Sequence, residues 1–200
     1  RTGAELQQFK GHLGQVNAAA YSPAGKTIVT GGADGSVRIW DAVSGEQLRE
    51  LRRHTGAVAA VAYSPDGTTI ATAGQDQTAR VWDAATGGEL WERIAHGGPV
   101  YAAAFSPDGK SILTGGQDNL ARMWDAATGM PLPQRNGHTD AITAAAYSPD
   151  GGSILTAGAD VQRDRLEVSV WAWGRGLESW LVDHVVIDEG PGTAGAWARL

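Results

Sequence analysis

Four histidines in this 200-residue chain, His12, His54, His96 and His138, each have an aspartate 22 residues downstream: Asp34, Asp76, Asp118 and Asp160. Imidazole beside carboxylate is the raw material of a metal centre or of general acid–base catalysis. Either use needs groups from different parts of a chain to converge on one point. Here the pairs recur at a constant step of 42 residues, which places each in its own structural unit. The expectation is therefore no catalytic residue, no metal and no cofactor. The serine series Ser22, Ser64, Ser106 and Ser148 fails as a set of nucleophiles for the same reason, since each opens a Ser-Pro turn. Gly31-Gly32 and Gly115-Gly116 lack the Lys-Ser/Thr that a phosphate-cradling loop requires.

Two further series keep the step: Thr30, Thr72, Thr114 and Thr156, and Trp40, Trp82 and Trp124, each tryptophan followed by an aspartate. The four residue types fit one another chemically. A threonine hydroxyl can link one histidine nitrogen to the indole Nε1–H while a carboxylate holds the other nitrogen. Each such bond contributes roughly 1 kcal/mol net, and burial of the indole contributes more. The histidines thus read as stitches within a repeated unit.

The elements that must position them follow from the same period. After His54 comes a run of small apolar residues, 57–63, then Ser64-Pro65-Asp66-Gly67, a turn with proline second and glycine fourth. Short strands over 69–73, 79–83 and 89–93 follow, separated by turns around Asp76 and at Thr86-Gly87. The first strand is alanine-rich in every copy (Ala18–Ala20, Ala59–Ala62, Ala102–Ala104, Ala144–Ala146). Small residues suit a strand that converges with its equivalents on a central axis. Helical propensity alone would also fit the alanine runs, but the Ser-Pro turn within three residues stops a helix. Tyr21, Tyr63, Phe105 and Tyr147 share one position at the strand's end and read as core.

Bulk properties narrow the class. The net charge of −6 and pI near 5.3 argue against non-specific nucleic-acid binding, which needs a basic face. Cysteine is absent, so disulfide and thiolate chemistry are excluded and a cytoplasmic origin is expected. No apolar run approaches the roughly 18–20 residues needed to span a bilayer as a helix. The chain opens at Arg1 and is in the repeat by Glu5, as a piece cut from a longer protein would be.

A period of about 40–45 residues with Gly-His, Ser-Pro-Asp-Gly, Thr-Gly-Gly-x-Asp and Trp-Asp in register resembles the WD40 repeat family. The match covers roughly residues 5–160. It implies an all-β propeller fragment: about four four-stranded blades in an open arc. It also implies a structural tetrad per blade, falling on His12, Thr30, Asp34 and Trp40, on His54, Thr72, Asp76 and Trp82, and on His96, Thr114, Asp118 and Trp124. The resulting division is 1–11 as the outer strand of a preceding blade (strand over Glu5–Phe9) with its entry loop. Repeats follow at 12–53, 54–95, 96–137 and 138–183, and 184–200 form a diverged tail.

The fourth copy breaks the pattern. Leu166 stands where tryptophan is due, and Val168-Ser169-Val170-Trp171 resembles Val37-Arg38-Ile39-Trp40 displaced by five residues. The reading is an enlarged turn over 161–166, a tetrad of His138, Thr156, Asp160 and Trp171, and an outer strand over Leu177–Val182. His184 arrives four residues late, and no Ser-Pro-Asp-Gly follows. A diverged closing segment, the start of another domain and a translated frameshift all fit residues 161–200.

Functionally the resemblance implies a non-enzymatic scaffold or protein–protein interaction module. The alternative is the regulatory propeller portion of a larger multidomain enzyme, such as a bacterial protein kinase or NTPase. In the family, the loop after His and the position before the turn aspartate face one end, which puts Asn17, Gln75, Tyr101 and Gln117 on a candidate partner face. Open blade edges are expected to favour self-association, including a dimer that completes an eight-blade ring.

Overall fold

The computed structural model describes the backbone of residues 5–133, 135–136, 138–161, 166–173 and 179–187, and the side chains of 5–133 and 138–158. Among these residues it contains strands and turns and no helix.

Among the described residues, the strands form four copies of one antiparallel meander. The first sheet comprises β1 (Val16–Tyr21), β2 (Thr27–Gly32), β3 (Ser36–Asp41) and β4 (Gln47–Arg52). The second comprises β5 (Val58–Tyr63), β6 (Thr69–Gly74), β7 (Thr78–Asp83) and β8 (Glu89–Ile94). The third holds β9 (Val100–Phe105), β10 (Ser111–Gly116), β11 (Leu120–Asp125) and β12 (Arg135–Asn136). The fourth holds β13 (Ile142–Tyr147), β14 (Ile154–Val161), β15 (Leu166–Trp173) and β16 (Ser179–Ile187). Six-residue strands rich in Val and Ile, closed by tight turns, are what the alternation of apolar runs and turn residues dictates. The Ser-Pro turn closes as expected: Gly67 N–H donates to Ser64 O at 2.9 Å, with Gly67 at φ 73°, a conformation costly for other residues.

The first strands pack against one another in chain order, β1 on β5, β5 on β9 and β9 on β13. Alanine at these positions lets neighbouring blades approach. Where sheets meet, one apolar cluster recurs. Val29, Ile39 and Leu51 of the first sheet bury Val58, Ile70 and Trp82 of the second. Ala71, Val81 and Trp91 do the same for Val100, Ile112 and Trp124, and Leu113 and Ala121 for Ile142 and Ile154. Tyrosines ending the inner strands belong to these junctions. Tyr63 meets Thr27 of the preceding sheet at 3.0 Å, and Tyr147 meets Ser111 at 2.8 Å, hydroxyl to hydroxyl. At the first blade the same face lines an open groove of about 460 Å³, with no sheet before it among the described residues.

Four sequence expectations change. Residues 5–9 form no strand, and among the described residues no third strand lies beside them to pair with. They still lie where an outer strand would: Gln7 Nε2 donates to Ser44 O at 3.0 Å, and the Phe9 ring meets Trp40 edge-on at 5.8 Å. Second, the expected enlarged turn over 161–166 has its two end residues, Val161 and Leu166, paired in the β14–β15 ladder. The β14–β15 ladder continues through Asp160↔Glu167 to Val161↔Leu166, leaving 162–165 outside the described residues. Ladder pairing thus takes up residues 160, 161, 166 and 167.

Third, the outer strand is β16 (Ser179–Ile187), longer than Leu177–Val182 and crossing the boundary set between 183 and 184. His184 pairs with Ser169 inside it and does not open another repeat. Finally, the fourth tryptophan shifts. Trp40, Trp82 and Trp124 stand opposite Ile28, Ile70 and Ile112, whereas opposite Ile154 stands Trp173, with Trp171 opposite Thr156. Ladder register overrides the local Val-x-Val-Trp likeness. The side chains of Trp171 and Asp160 lie outside the described residues, as does the tail over 188–200.

Candidate functional site

In each of the first three blades, β2-type and β3-type strands place Thr and Trp side by side, and the turn after β2 aims an aspartate at the histidine of the entry loop. Trp40 Nε1–H donates to Thr30 Oγ1 at 2.8 Å, Thr30 Oγ1 lies 2.7 Å from His12 Nε2, and His12 Nδ1 lies 3.0 Å from Asp34 Oδ1. For Trp82, Thr72, His54 and Asp76 the same three distances are 2.9, 2.8 and 2.9 Å. For Trp124, Thr114, His96 and Asp118 they are 2.9, 2.9 and 2.7 Å. In the fourth blade His138 Nε2 meets Thr156 Oγ1 at 2.7 Å. Asp160 lies in the β14 ladder there, not in a turn like Asp34, Asp76 and Asp118.

Proton assignment follows from valence in the first two blades. An ionised aspartate only accepts, so His Nδ1 carries the proton and Nε2 accepts from the threonine hydroxyl. That hydroxyl in turn accepts from the indole, and every polar atom is used. The aspartate also accepts from the backbone of the entry loop, Leu13 N–H at 2.8 Å and Thr55 N–H at 3.0 Å.

Two partners were not expected from the sequence, although both recur at the 42-residue step. Ser36 and Thr78 hydroxyls donate to Asp34 and Asp76, each at 2.8 Å. Buried Arg38 spans to Gln47 (2.9 Å) and Glu50 (2.8 Å), and Arg80 to Glu89 (2.6 Å) and Glu92 (2.7 Å), tying third strand to fourth. The Arg series and the acids beside it were the signal that could have found them.

The third blade departs for a reason visible in its residues. Leu120 replaces the Ser/Thr, and Pro131 and Gln134 stand where Glu89 and Glu92 do. Arg122, without those acids, turns inward and pairs with Asp118. Its Nη1 also lies 2.7 Å from His96 Nδ1, a donor facing a nitrogen whose proton already serves Asp118.

Burial pushes Asp118 up, but hydrogen bonds from Arg122, Gly97 N–H and His96 outweigh it and hold the carboxyl at about 2. For Asp76, burial likewise pushes up, and His54 and Thr78 prevail to keep it below the ordinary range. His54 and His96 are pushed down by burial against the pull of their aspartates, and His138 by burial against Asp140. Replacing Arg122 by Gln should raise Asp118 by about 1–3 pH units, read by carboxyl 13C NMR titration.

A pH dependence follows. The fold favours neutral imidazole at residues 54, 96 and 138, so the unfolded chain binds those protons more readily. The stability involved is complete above the free-histidine value near 6.5 and is lost as pH falls through the depressed folded values. The aspartates add a separate loss only below about 4. Between pH 7.5 and 5.5 calorimetry should show a falling Tm, with stability changing by up to about 1.4 kcal/mol per pH unit for each histidine.

The residues assigned to a partner face share one end of the array. Asn17 and Tyr101 occupy the inner-strand bulge beside the paired Val16 and Val100, and exposed Gln75 and Gln117 open the neighbouring turns. Gln75 N–H donates to Ala57 O and Gln117 N–H to Pro99 O, which draws turn and entry loop together. Asn17 is partly committed within the fold, since its Nδ2 donates to Val58 O of the next blade at 3.0 Å.

Comparison with known proteins adds the following. Residues 3–41 match the family model "WD domain, G-beta repeat". Residues 57–200 match "Terminase large subunit gpA, endonuclease domain". The described part of that second stretch forms three sheets of the same meander as the first, and nothing in its fold explains the match. Periodic tryptophan protein 2 homolog of Dictyostelium discoideum is 47% identical over 45 residues, 22% of this chain and 5% of that protein. Serine-threonine kinase receptor-associated protein of Homo sapiens is 38% identical over 45 residues, 22% of this chain and 13% of its own. Ribosome biogenesis protein ERB1 of Chaetomium thermophilum is 46% identical over 37 residues, 18% of this chain and 5% of that protein. The chain thus spans a small part of these relatives.

Among solved structures, the RRP9 WD40 repeats superpose with TM-score 0.77 at 22% identity, over 86% of this chain and 52% of that one. U3-55K superposes with TM-score 0.75 at 21% identity, over 86% and 53%. Both likenesses concern the fold, and the chain spans about half of each.

Proposed function

Because this chain belongs to the WD40 repeat family, we propose that it is a non-enzymatic interaction module whose repeated end face holds protein partners. One observation carries the reading: the His–Asp pairs that would be the reactive groups are consumed in hydrogen bonds to their own blades. What is left to vary is the end face, where Gln75, Tyr101 and Gln117 sit on a frame that otherwise repeats. Relatives whose names place them in ribosome biogenesis and with a kinase receptor support a role among proteins. The acidic balance of the chain favours a protein partner over nucleic acid.

The terminase match raises a nuclease reading, which would need converging metal-binding carboxylates. Among the described residues no group of three or more His, Asp or Glu is placed to hold a metal ion, so that reading draws no support from them. The test is crosslinking-based capture of protein partners with the wild-type chain and with the triple variant Gln75→Ala, Tyr101→Ala, Gln117→Ala. The partner set should be lost from the variant at unchanged Tm. Equal capture by both, or magnesium-dependent cleavage of DNA by the wild-type chain, would overturn the proposal.

A further inference from the structure

Arginine recurs at residues 38, 80 and 122, on the third strand of each of the first three blades. In the first two, its guanidinium reaches two side-chain oxygens of the fourth strand, those of Gln47 and Glu50 or of Glu89 and Glu92. Its Nε–H also donates to the hydroxyl of Ser36 or Thr78 at 3.3 Å, which steadies the outward pose. The acids stand at the surface. Glu89 is 24% exposed and Glu92 43%, over an Arg80 side chain that is 7% exposed. The seat they fill therefore opens to solvent.

The third blade keeps the arginine and loses what holds it outward. Leu120 has no hydroxyl, and residues 130–136 supply no acid. Arg122 folds back on Asp118 instead, with its Nη1 2.7 Å from the proton-bearing Nδ1 of His96. That inward pose sets one N–H donor against another, while the seat its equivalents use has no acid of β12 to fill it.

We propose that this outward seat on the third blade binds an acidic peptide segment, whose carboxylates take the places of Glu89 and Glu92 and draw Arg122 to the surface. The chemistry is that of the two internal examples: a carboxylate matches the planar guanidinium fork in charge and shape. Glu89 and Glu92 are three residues apart on one strand, so an extended Glu-x-x-Glu segment carries the matching pair. Two carboxylates on one chain engage together and outbind a free anion of the same chemistry. Arg135 is the sole charged residue in 130–136, so nothing in that segment repels an acid. When Arg122 leaves, Asp118 keeps His96 Nδ1–H at 2.7 Å and Gly97 N–H at 3.1 Å.

Fluorescence anisotropy with a labelled Glu-x-x-Glu peptide provides the test. The wild-type chain should bind it and ignore the Gln-x-x-Gln counterpart. Arg122→Gln should weaken binding by about tenfold or more. Pro131→Glu leaves Arg122 in place but supplies an acid at the repeat position of Glu89, and should weaken binding as much. Leu120→Thr restores the hydroxyl present in the second blade and should tighten it. On peptide addition, the His96 15N and Asp118 carboxyl 13C signals should move toward their positions in Arg122→Gln. No binding by the wild-type chain, binding untouched by Arg122→Gln and Pro131→Glu, or unmoved His96 and Asp118 signals would overturn the proposal. So would free glutamate or inorganic phosphate competing as well as the peptide does. None of Gln75, Tyr101 and Gln117 takes part, so the triple variant should still bind the peptide, and either reading can fail without the other.

Discussion

Replacing Trp82 by alanine should lower the unfolding free energy by about 3–5 kcal/mol, read from the shift in urea midpoint of the whole array. The ring is 2% exposed and packs at the junction of the first two sheets, against residues that include Ile39 and Leu51. Its loss opens a cavity between blades and not merely within one. It also removes the indole donor to Thr72, leaving a buried hydroxyl with one fewer partner. Neighbouring repeats in such arrays stabilise each other through their interfaces, so the first and second sheets should lose protection together in hydrogen exchange. Protection lost in the second sheet alone would contradict the junction role assigned to this ring.

The second large effect is expected at Thr72, where valine keeps the shape and removes the hydroxyl. Trp82 Nε1–H and His54 Nε2 then lose their common partner in a fully buried setting. An unsatisfied buried group costs about 1–3 kcal/mol, so the pair should cost about 2–6 kcal/mol. Serine at the same place restores the bonding group and should recover most of the loss. Stability equal for Val and Ser would show that packing, and not the hydrogen-bond chain, is what Thr72 supplies.

Much of this was legible because the chain states the same instruction several times. His, Thr, Asp and Trp at a common step, with glycine and proline at fixed turns, specify strand lengths and which side chains meet. The strands of the second sheet fall within a residue of their sequence-derived bounds for that reason. Arg38 and Arg80 keep the step equally well, but their partners Glu50 and Glu92 lie on the fourth strand, whose composition varies between copies and hides the pairing.

The misplacements all fall where repetition ends. Residues 5–9 have outer-strand composition, yet a strand is a property of pairing, and no neighbouring strand is there among the described residues. In the fourth blade, hairpin register is set by the ladder beginning at Ile154, whereas a sequence motif carries no record of how many residues the turn consumes. A likeness of four residues thus pointed to Trp171, and the ladder selects Trp173. Asn17 shows a different gap, since its bulge position was inferable but the carbonyl it reaches belongs to another blade.

Whether the recurring histidines are struts or reactive groups is tested most directly by 15N NMR of the imidazoles, followed with zinc. For His54 the expected result at neutral pH is a neutral ring protonated at Nδ1, slow exchange of the Trp82 indole proton, and no response to the metal. Histidines that titrate at the free value, exchange freely or shift on addition of zinc would contradict it.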